Sequence, residues 1–197
     1  MTEAVLLGAA AFLMSSVPFS WVIGRLVFNV DIRQYGDGNP GATNVYRASG
    51  SRFWYIVAVL ADALKGSLPV GTAFWGLGWR DERLALVAVL AIAGHAFSPF
   101  LKFRGGKAVA ITGGTWAALT LWQVPIVIGV NLFLWYRLLN ESDWVVMLMM
   151  AGVLLYLLAV YNSMPIFFLI WAGNFAILLI KHRQGLKRLP TFRRAAQ

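Results

Sequence analysis

The residues of this chain best suited to chemistry fall in two short polar stretches and at a few ionisable positions inside or beside apolar ones. The first stretch is Gly36-Asp37-Gly38-Asn39-Pro40-Gly41-Ala42-Thr43-Asn44-Val45-Tyr46-Arg47. Its glycines let the backbone come close to a ligand and turn successive amides into an anion-binding nest. Asn39, Thr43 and Asn44 add neutral donors and acceptors, and Arg47 adds a planar fork that fits phosphate. Gly36, Gly38 and Gly41 match the dinucleotide fingerprint G-x-G-x-x-G. That motif needs a preceding strand and a βαβ unit, and apolar helical segments flank it here, so the match is rejected. The competing reading is a turn-rich connector.

The second stretch is Lys102-Phe103-Arg104-Gly105-Gly106-Lys107. Gly105 and Gly106 precede an apolar run, which puts free backbone amides at a helix N-terminus, an anion site by geometry. Lys107 falls in the first turn, where a cation opposes the helix dipole, so its placement favours a bound anion. The stretch is not a P-loop. Leu101 stands where the first glycine would be, and Ala108 stands where a hydroxyl would hold magnesium. The competing reading is a set of basic membrane anchors.

Asp62 and Lys65 are three apart, hence on one face of an apolar helix, where ionisable groups pair or face a wet cavity. A mutual salt bridge is expected, and it is compatible with Lys65 also meeting phosphate. His95, near the end of another apolar segment, reads as a hydrogen-bonded packing residue that supports the site together with Asp62. His182 lies between Lys181 and Arg183 where the last apolar segment ends. It reads as a helix cap or, being the histidine at the polar surface, as a general base.

The elements that must position these groups follow from composition. Of 197 residues, 59% are hydrophobic and 13% charged, against about 25% charged in soluble domains. Mean hydropathy is +0.69. One soluble core of this length could not hide that much apolar surface, which places the chain in a bilayer. The absence of cysteine excludes disulfide scaffolds, thiolate metal sites and cysteine nucleophiles, and two histidines with eight acids leave little for a metal. No cofactor is expected. In a membrane protein a net charge of +9 points to topology and to anionic lipid or phosphate, rather than to nucleic acid.

At about 20 residues per crossing, the hydropathy predicts seven spans: 4–24, 54–78, 84–101, 108–122, 124–139, 144–161 and 164–180. The fold class is therefore an all-α integral membrane protein, read as a single domain over 1–197. No basic residue precedes the first apolar run, which argues against a cleaved signal peptide. Of the 17 lysines and arginines, only Arg80 and Arg83 fall on one side of the seven-span arrangement, and Lys65 lies within a span. The others share the opposite side. The positive-inside rule then puts the C-terminus in the cytoplasm and the N-terminus outside, with both polar stretches and His182 on the cytoplasmic face.

Taken together the motifs resemble the bacterial acyl-phosphate-dependent glycerol-3-phosphate acyltransferases, the PlsY family, over almost the whole chain. The resemblance rests on Asp31-Ile32-Arg33 with GDGNPGATNVYR, on the run from Gly94-His95 through Gly105-Gly106-Lys107-Ala108-Val109-Ala110, and on Asp62-x-x-Lys65-Gly66. A shorter match is Lys181-His182-Arg183-Gln184 with Arg188-Leu189. The resemblance implies transfer of a fatty acyl group from acyl phosphate to glycerol 3-phosphate at the inner membrane. Arg47 and the Gly105-Gly106-Lys107 loop would bind phosphate, and Asn39 and Asn44 would shape the first loop. His182 would orient substrate or assist proton transfer. Proton removal could fall to His182, to Asp37 or to the departing phosphate.

The chain departs from the family pattern at several places. Asp37 stands where the family has serine, and Gly185 stands where it has asparagine after the tail histidine. Leu138-Leu139-Asn140-Glu141-Ser142-Asp143 replaces a serine-containing stretch. Two alternatives follow. One is a divergent acyltransferase with another acceptor or donor, since Asp37 would repel a dianionic acceptor. The other is a lipid-binding or transport protein without turnover, suggested by the intramembrane Asp62 and Lys65 and by the residues lost from the tail motif.

Overall fold

The computed structural model describes residues 1–193; Arg194, counted above among the cytoplasmic cations, lies outside them, as does the end of the 1–197 domain. Among the described residues the regular structure is helical, without strands. Its helices are α1 (Thr2–Ser16), α2 (Phe19–Val27), α3 (Ala42–Ser49), α4 (Arg52–Gly71), α5 (Glu82–Ala96), α6 (Val109–Thr120), α7 (Gln123–Leu138), α8 (Ser142–Val160) and α9 (Pro165–His182). Among the described residues, five stretches are long and apolar enough to cross a membrane: Thr2–Val27, Arg52–Gly76, Glu82–Leu101, Ser142–Val160 and Pro165–His182. Gln123–Leu138 is apolar but shorter. The 12 residues of α6 reach only about 18 Å, well short of a hydrocarbon core about 30 Å thick. The predicted boundary between the fourth and fifth spans is a tight turn through Leu121 and Trp122, both with left-handed backbone.

The predicted first span is broken. Val17 and Pro18 separate α1 from α2, because a proline inside a helix removes a donor and clashes with the preceding turn. In hydrocarbon the freed carbonyls need partners. Lys65 supplies one, its Nζ donating to the Val17 carbonyl at 2.8 Å, and Ser98 Oγ donates to the Ser16 carbonyl at 2.5 Å. The helix break and the buried lysine therefore explain each other.

The core is made by α5 packed between α1 and α9, and by α6 lying against α4. The α4–α6 approach is close enough that a Cβ on Gly114 would stand 1.9 Å from the Ala63 carbonyl oxygen. Small residues at such crossings let helices gain packing contacts where the surrounding lipid gives no hydrophobic drive. Trp116, Asn174 and Thr112 join α6 to α9 by buried hydrogen bonds of 3.2 and 2.8 Å. After α9 the chain returns beneath α7 and α8, pairing Leu139 with Phe192 in an isolated bridge.

Candidate active site

The first loop is built around two polar hubs. Asp31 accepts from Arg33 through its amide, Nε and Nη2, and from Arg25 Nη2, at 2.6 to 3.1 Å. The hydrogen bond to Arg33 holds this carboxyl far below the usual range, against the opposing effect of burial. Asn44, buried in the first turn of α3, donates to Asp37 Oδ1 at 3.1 Å and to the Asn39 carbonyl at 2.8 Å, and accepts from Arg47 Nη1 at 3.1 Å. Arg47 lies across Gly36, whose φ of +58° and lack of a side chain bring the loop onto the guanidinium. Asn44 thus shapes the loop, as expected, and aims Arg47. Asn39 contributes its backbone, its amide donating to Asp37 Oδ1 at 3.2 Å.

The second loop lies flat on the end of α5. The Gly106 amide donates to the His95 carbonyl at 3.1 Å. A Cβ on Gly106 would stand 2.2 Å from His95 Nε2, and one on Gly105 would stand 2.1 Å from the His95 carbonyl oxygen. The paired glycines therefore have a packing reason besides any anion. Lys181 clamps the loop, its Nζ donating to the carbonyls of Ala96 and Gly105 at 2.8 Å each.

The two loops meet at Lys107. Its Nζ is 3.0 Å from Asp37 Oδ2 and 3.2 Å from Asp143 Oδ1, at the start of α8. The same Asp143 oxygen is 2.5 Å from His182 Nδ1, at the end of α9. Asp37, Lys107, Asp143 and His182 form one chain across both loops and two helix ends. Partial burial pushes the Asp37 carboxyl up, but the bond to Lys107 and its charge outweigh this, leaving Asp37 below the usual carboxylate range. Partial burial pushes the Lys107 ammonium down, and Asp37 and Asp143 more than restore it. Both groups are ionised at neutral pH.

The remaining expected residues form a separate inner layer. Lys65 Nζ is 2.7 Å from Asp62 Oδ1, and Ser20 Oγ donates to Asp62 Oδ2 at 3.0 Å. His95 Nδ1 lies 3.6 Å from Asp62. Lys65, Asp62 and His95 line a small polar crevice with Ser15, Ser16, Pro40 and Ser98, floored by Gly105 and Gly106. Lys65 is 3% exposed and committed to Asp62 and Val17, so it braces the helix break rather than presenting an ammonium to the outer cluster.

Two further points differ from the sequence reading. His182 is not at the surface: it is 3% exposed, and its Nε2 is buried without a partner among the described residues. Asp143, within the stretch that replaces the family's serine-containing one, links Lys107 to His182. Its signal was present in two departures from the family pattern. A Cβ on Gly185 would stand 1.7 Å from Asp143 Oδ2. The glycine leaves the space that the carboxylate fills.

The arrangement offers two exposed-edge cations, Arg47 and Lys107, an open carboxylate, Asp37, and a buried imidazole held by Asp143. That set can hold phosphate oxygens and take a proton from a hydroxyl. The family model described as glycerol-3-phosphate acyltransferase matches residues 5–191. A glycerol-3-phosphate acyltransferase 1 of Thermotoga maritima is 37% identical over 190 residues, covering 90% of this chain and 93% of that protein. A glycerol-3-phosphate acyltransferase of Thermus thermophilus is 38% identical over 196 residues, covering 96% and 92%. The fold is similar to crystal structures of PlsY, an integral membrane glycerol 3-phosphate acyltransferase. Its glycerol 3-phosphate form has a TM-score of 0.81 at 28% identity, covering 94% of this chain and 91% of that one. Its lysophosphatidic acid form has a TM-score of 0.78 at 27% identity. By the match of nearly its whole length, this chain belongs to the glycerol-3-phosphate acyltransferase family.

Proposed function

We propose that this protein transfers a fatty acyl group from acyl phosphate to the 1-hydroxyl of glycerol 3-phosphate, giving lysophosphatidic acid. The observation that carries the reading is the meeting of the two loops at Lys107, with Asp37 3.0 Å from its ammonium. The relatives and the PlsY structures named for glycerol 3-phosphate and lysophosphatidic acid support the acceptor and product. Acyl phosphate suits the residues present. It is a mixed anhydride with a good leaving group, so no covalent enzyme intermediate is needed, and the chain has no cysteine to form one. The site has to position two phosphates and stabilise the developing oxyanion.

In this reading Arg47 and Lys107 hold phosphate, with the amides of Gly105 and Gly106 beside them. The acceptor oxygen attacks the acyl carbonyl, a new ester C–O bond forms, and phosphate leaves with the electron pair of the broken anhydride bond. The hydroxyl proton passes to the departing phosphate, since the bond to Lys107 leaves Asp37 a weaker base than a free carboxylate. His182 is a positioning residue that fixes Asp143. The chain crosses the inner membrane seven times as one domain, the short α6 and α7 crossing where the bilayer thins around them, with the N-terminus outside, the C-terminus in the cytoplasm and the site on the cytoplasmic face. The clustering of cations with the loops, away from Arg80 and Arg83, supports that orientation. Because the chain has no cysteine, single Arg80→Cys and Arg104→Cys variants report it directly by labelling from each side of intact membranes; labelling of both from one side would overturn it.

The deciding assay is purified protein with palmitoyl phosphate and glycerol 3-phosphate, the product identified by mass. Lysophosphatidic acid is expected, and its absence from active preparations of folded protein would refute the reading. One observation favours a second reading, a different acceptor: two carboxylates already neutralise Lys107. Screening neutral polyols against glycerol 3-phosphate with labelled acyl phosphate separates the two. The transport reading loses one of its two motives, since Asp62 and Lys65 are spent on one another and on the break at Val17.

A further inference from the structure

Away from the cluster at Lys107, a cleft of about 600 Å³ opens on Trp21, Arg33, Phe100, Leu101, Lys102 and Arg104. Leu101 also lines the inner crevice, so the cleft lies next door to it. Cations outnumber acids there. Arg25 and Arg33 share the one carboxylate of Asp31, at 2.9 and 2.6 Å, and Lys102 and Arg104 are exposed and make no ion pair among the described residues. The guanidinium groups of Arg25 and Arg33 each lie 5.6 Å from the Trp21 ring centre. The Trp21 indole N–H is buried and has no hydrogen-bond partner among the described residues, an unusual state for a buried donor.

The backbone beside the cleft is strained in a way that serves it. Lys102 and Phe103 are consecutive non-glycine residues with φ of +52° and +61°. Such residues persist where surrounding bonds hold them, here the Phe103 amide on the Ser98 carbonyl at 2.8 Å and the Lys102 amide on the Pro99 carbonyl at 3.1 Å. The turn leaves Lys102 exposed, with Phe100 and Phe103 63% and 64% exposed on either side of it. Exposed phenyl rings beside cations match the interfacial pattern in which Phe faces the acyl chains and Lys and Arg face the headgroups.

We propose that this cleft binds the phosphate headgroup of an anionic phospholipid from the leaflet it faces. Lys102 and Arg104 meet the phosphate oxygens, and Phe100 and Phe103 sit among the acyl chains. A free phosphate would satisfy the cations but gain nothing from two exposed phenylalanines, so the lipid is the better match. The site is independent of the acyl-transfer assignment: it shares none of Asp37, Arg47, Lys107, Asp143 or His182.

The test is native mass spectrometry of the purified full-length protein titrated with phosphatidylglycerol or phosphatidylcholine. The Lys102→Gln/Arg104→Gln variant is compared with Arg183→Gln/Lys187→Gln, which removes equal charge from the tail. A cation near a membrane surface is worth about fivefold in binding, so phosphatidylglycerol retention should fall roughly twenty-five-fold in the cleft variant, which loses two. It should stay near wild type in the tail variant, and phosphatidylcholine retention should be low throughout. Lys102→Arg should retain lipid, which guards against misfolding as the cause. Equal loss in both double variants would reduce the effect to surface charge and overturn the proposal, as would no loss in either. Displacement of phosphatidylglycerol by millimolar inorganic phosphate would assign the cleft to a soluble anion and overturn the lipid.

Discussion

Replacing Lys107 with alanine removes a cation that touches Asp37 and Asp143 at once, and its effect can be worked from the geometry. An ammonium about 4 Å from a phosphate charge contributes about 1 kcal/mol at the dielectric of water and about 4 kcal/mol at the effective value near a protein surface. The Lys107 side chain is 29% exposed and that of Asp37 43%, so solvent screening keeps the term near the lower end, about 1–2 kcal/mol. The variant also leaves Asp37 and Asp143 facing the incoming phosphate with Arg47, 3.9 Å from Asp37, as the remaining offset, which adds repulsion of the same sign. A loss of at least about tenfold in kcat/KM for glycerol 3-phosphate is expected, equivalent to about 1.4 kcal/mol. Initial rates of lysophosphatidic acid formation from palmitoyl phosphate, with glycerol 3-phosphate varied at low salt, measure it. Because part of the loss is repulsion, Asp37→Ser/Lys107→Ala should show a lower KM than Lys107→Ala alone, whatever happens to kcat. A Lys107→Ala rate within about twofold of wild type would refute the phosphate role. A double variant with no lower KM would refute the electrostatic account.

Other perturbations test other contacts. Gly185→Asn should drive Asp143 off Lys107 and His182, since its Cβ would stand 1.7 Å from Asp143 Oδ2, and activity should fall. Adding Asp143→Ser should recover part of it, and a single variant with wild-type rates would show that the contact is dispensable. Lys65→Met leaves the buried Asp62 carboxylate unpaired and the Val17 carbonyl uncapped, with an expected loss of about 3–5 kcal/mol read as a lowered thermal midpoint. Asp62→Asn/Lys65→Met should be more stable than Lys65→Met. For pH, the Asp37 carboxyl lies below its ordinary value of 3.8 and the Lys107 ammonium above 10.5. The Asp37 contribution is therefore complete above 3.8 and lost as pH falls through the lower folded value. That of Lys107 is complete below 10.5 and lost as pH rises through the higher one. Spin labels at Thr43→Cys and Lys102→Cys should keep one narrow distance from about pH 5 to 9 and broaden in strong acid. Broadening near neutrality would mean that something other than this pair joins the loops.

Much of the site was legible as residue types. The glycine-rich loop, Arg47, the Gly105-Gly106-Lys107 turn and the Asp62–Lys65 pair announce themselves, because polar groups beside hydrocarbon are costly and stand out against an apolar background. Their partners did not. Asp143 looked like a residue in a diverged connector, and Gly185 like a lost asparagine. Neither has a local pattern, since one acts by occupying the space the other vacates. His182 looked like a surface group at a helix end, and its burial depends on α8 bringing Asp143 onto it. The break at Pro18 could be read from the proline itself, but not that a lysine on another helix caps it.

The sequence by itself determined that this protein is helical and membrane-embedded, that its cations collect with two glycine-bearing loops, and which family pattern it follows. Those properties are set by composition and by spacing along the chain, where each residue acts alone or with near neighbours. Only the tertiary structure decided which charges neutralise which. It joined Asp37 to Asp143 through Lys107, committed Lys65 to Asp62 and Val17, and laid the paired glycines on His95. The physical reason is range: an ion pair or a missing Cβ matters within a few ångströms, and residues far apart in sequence come that close only when the helices pack.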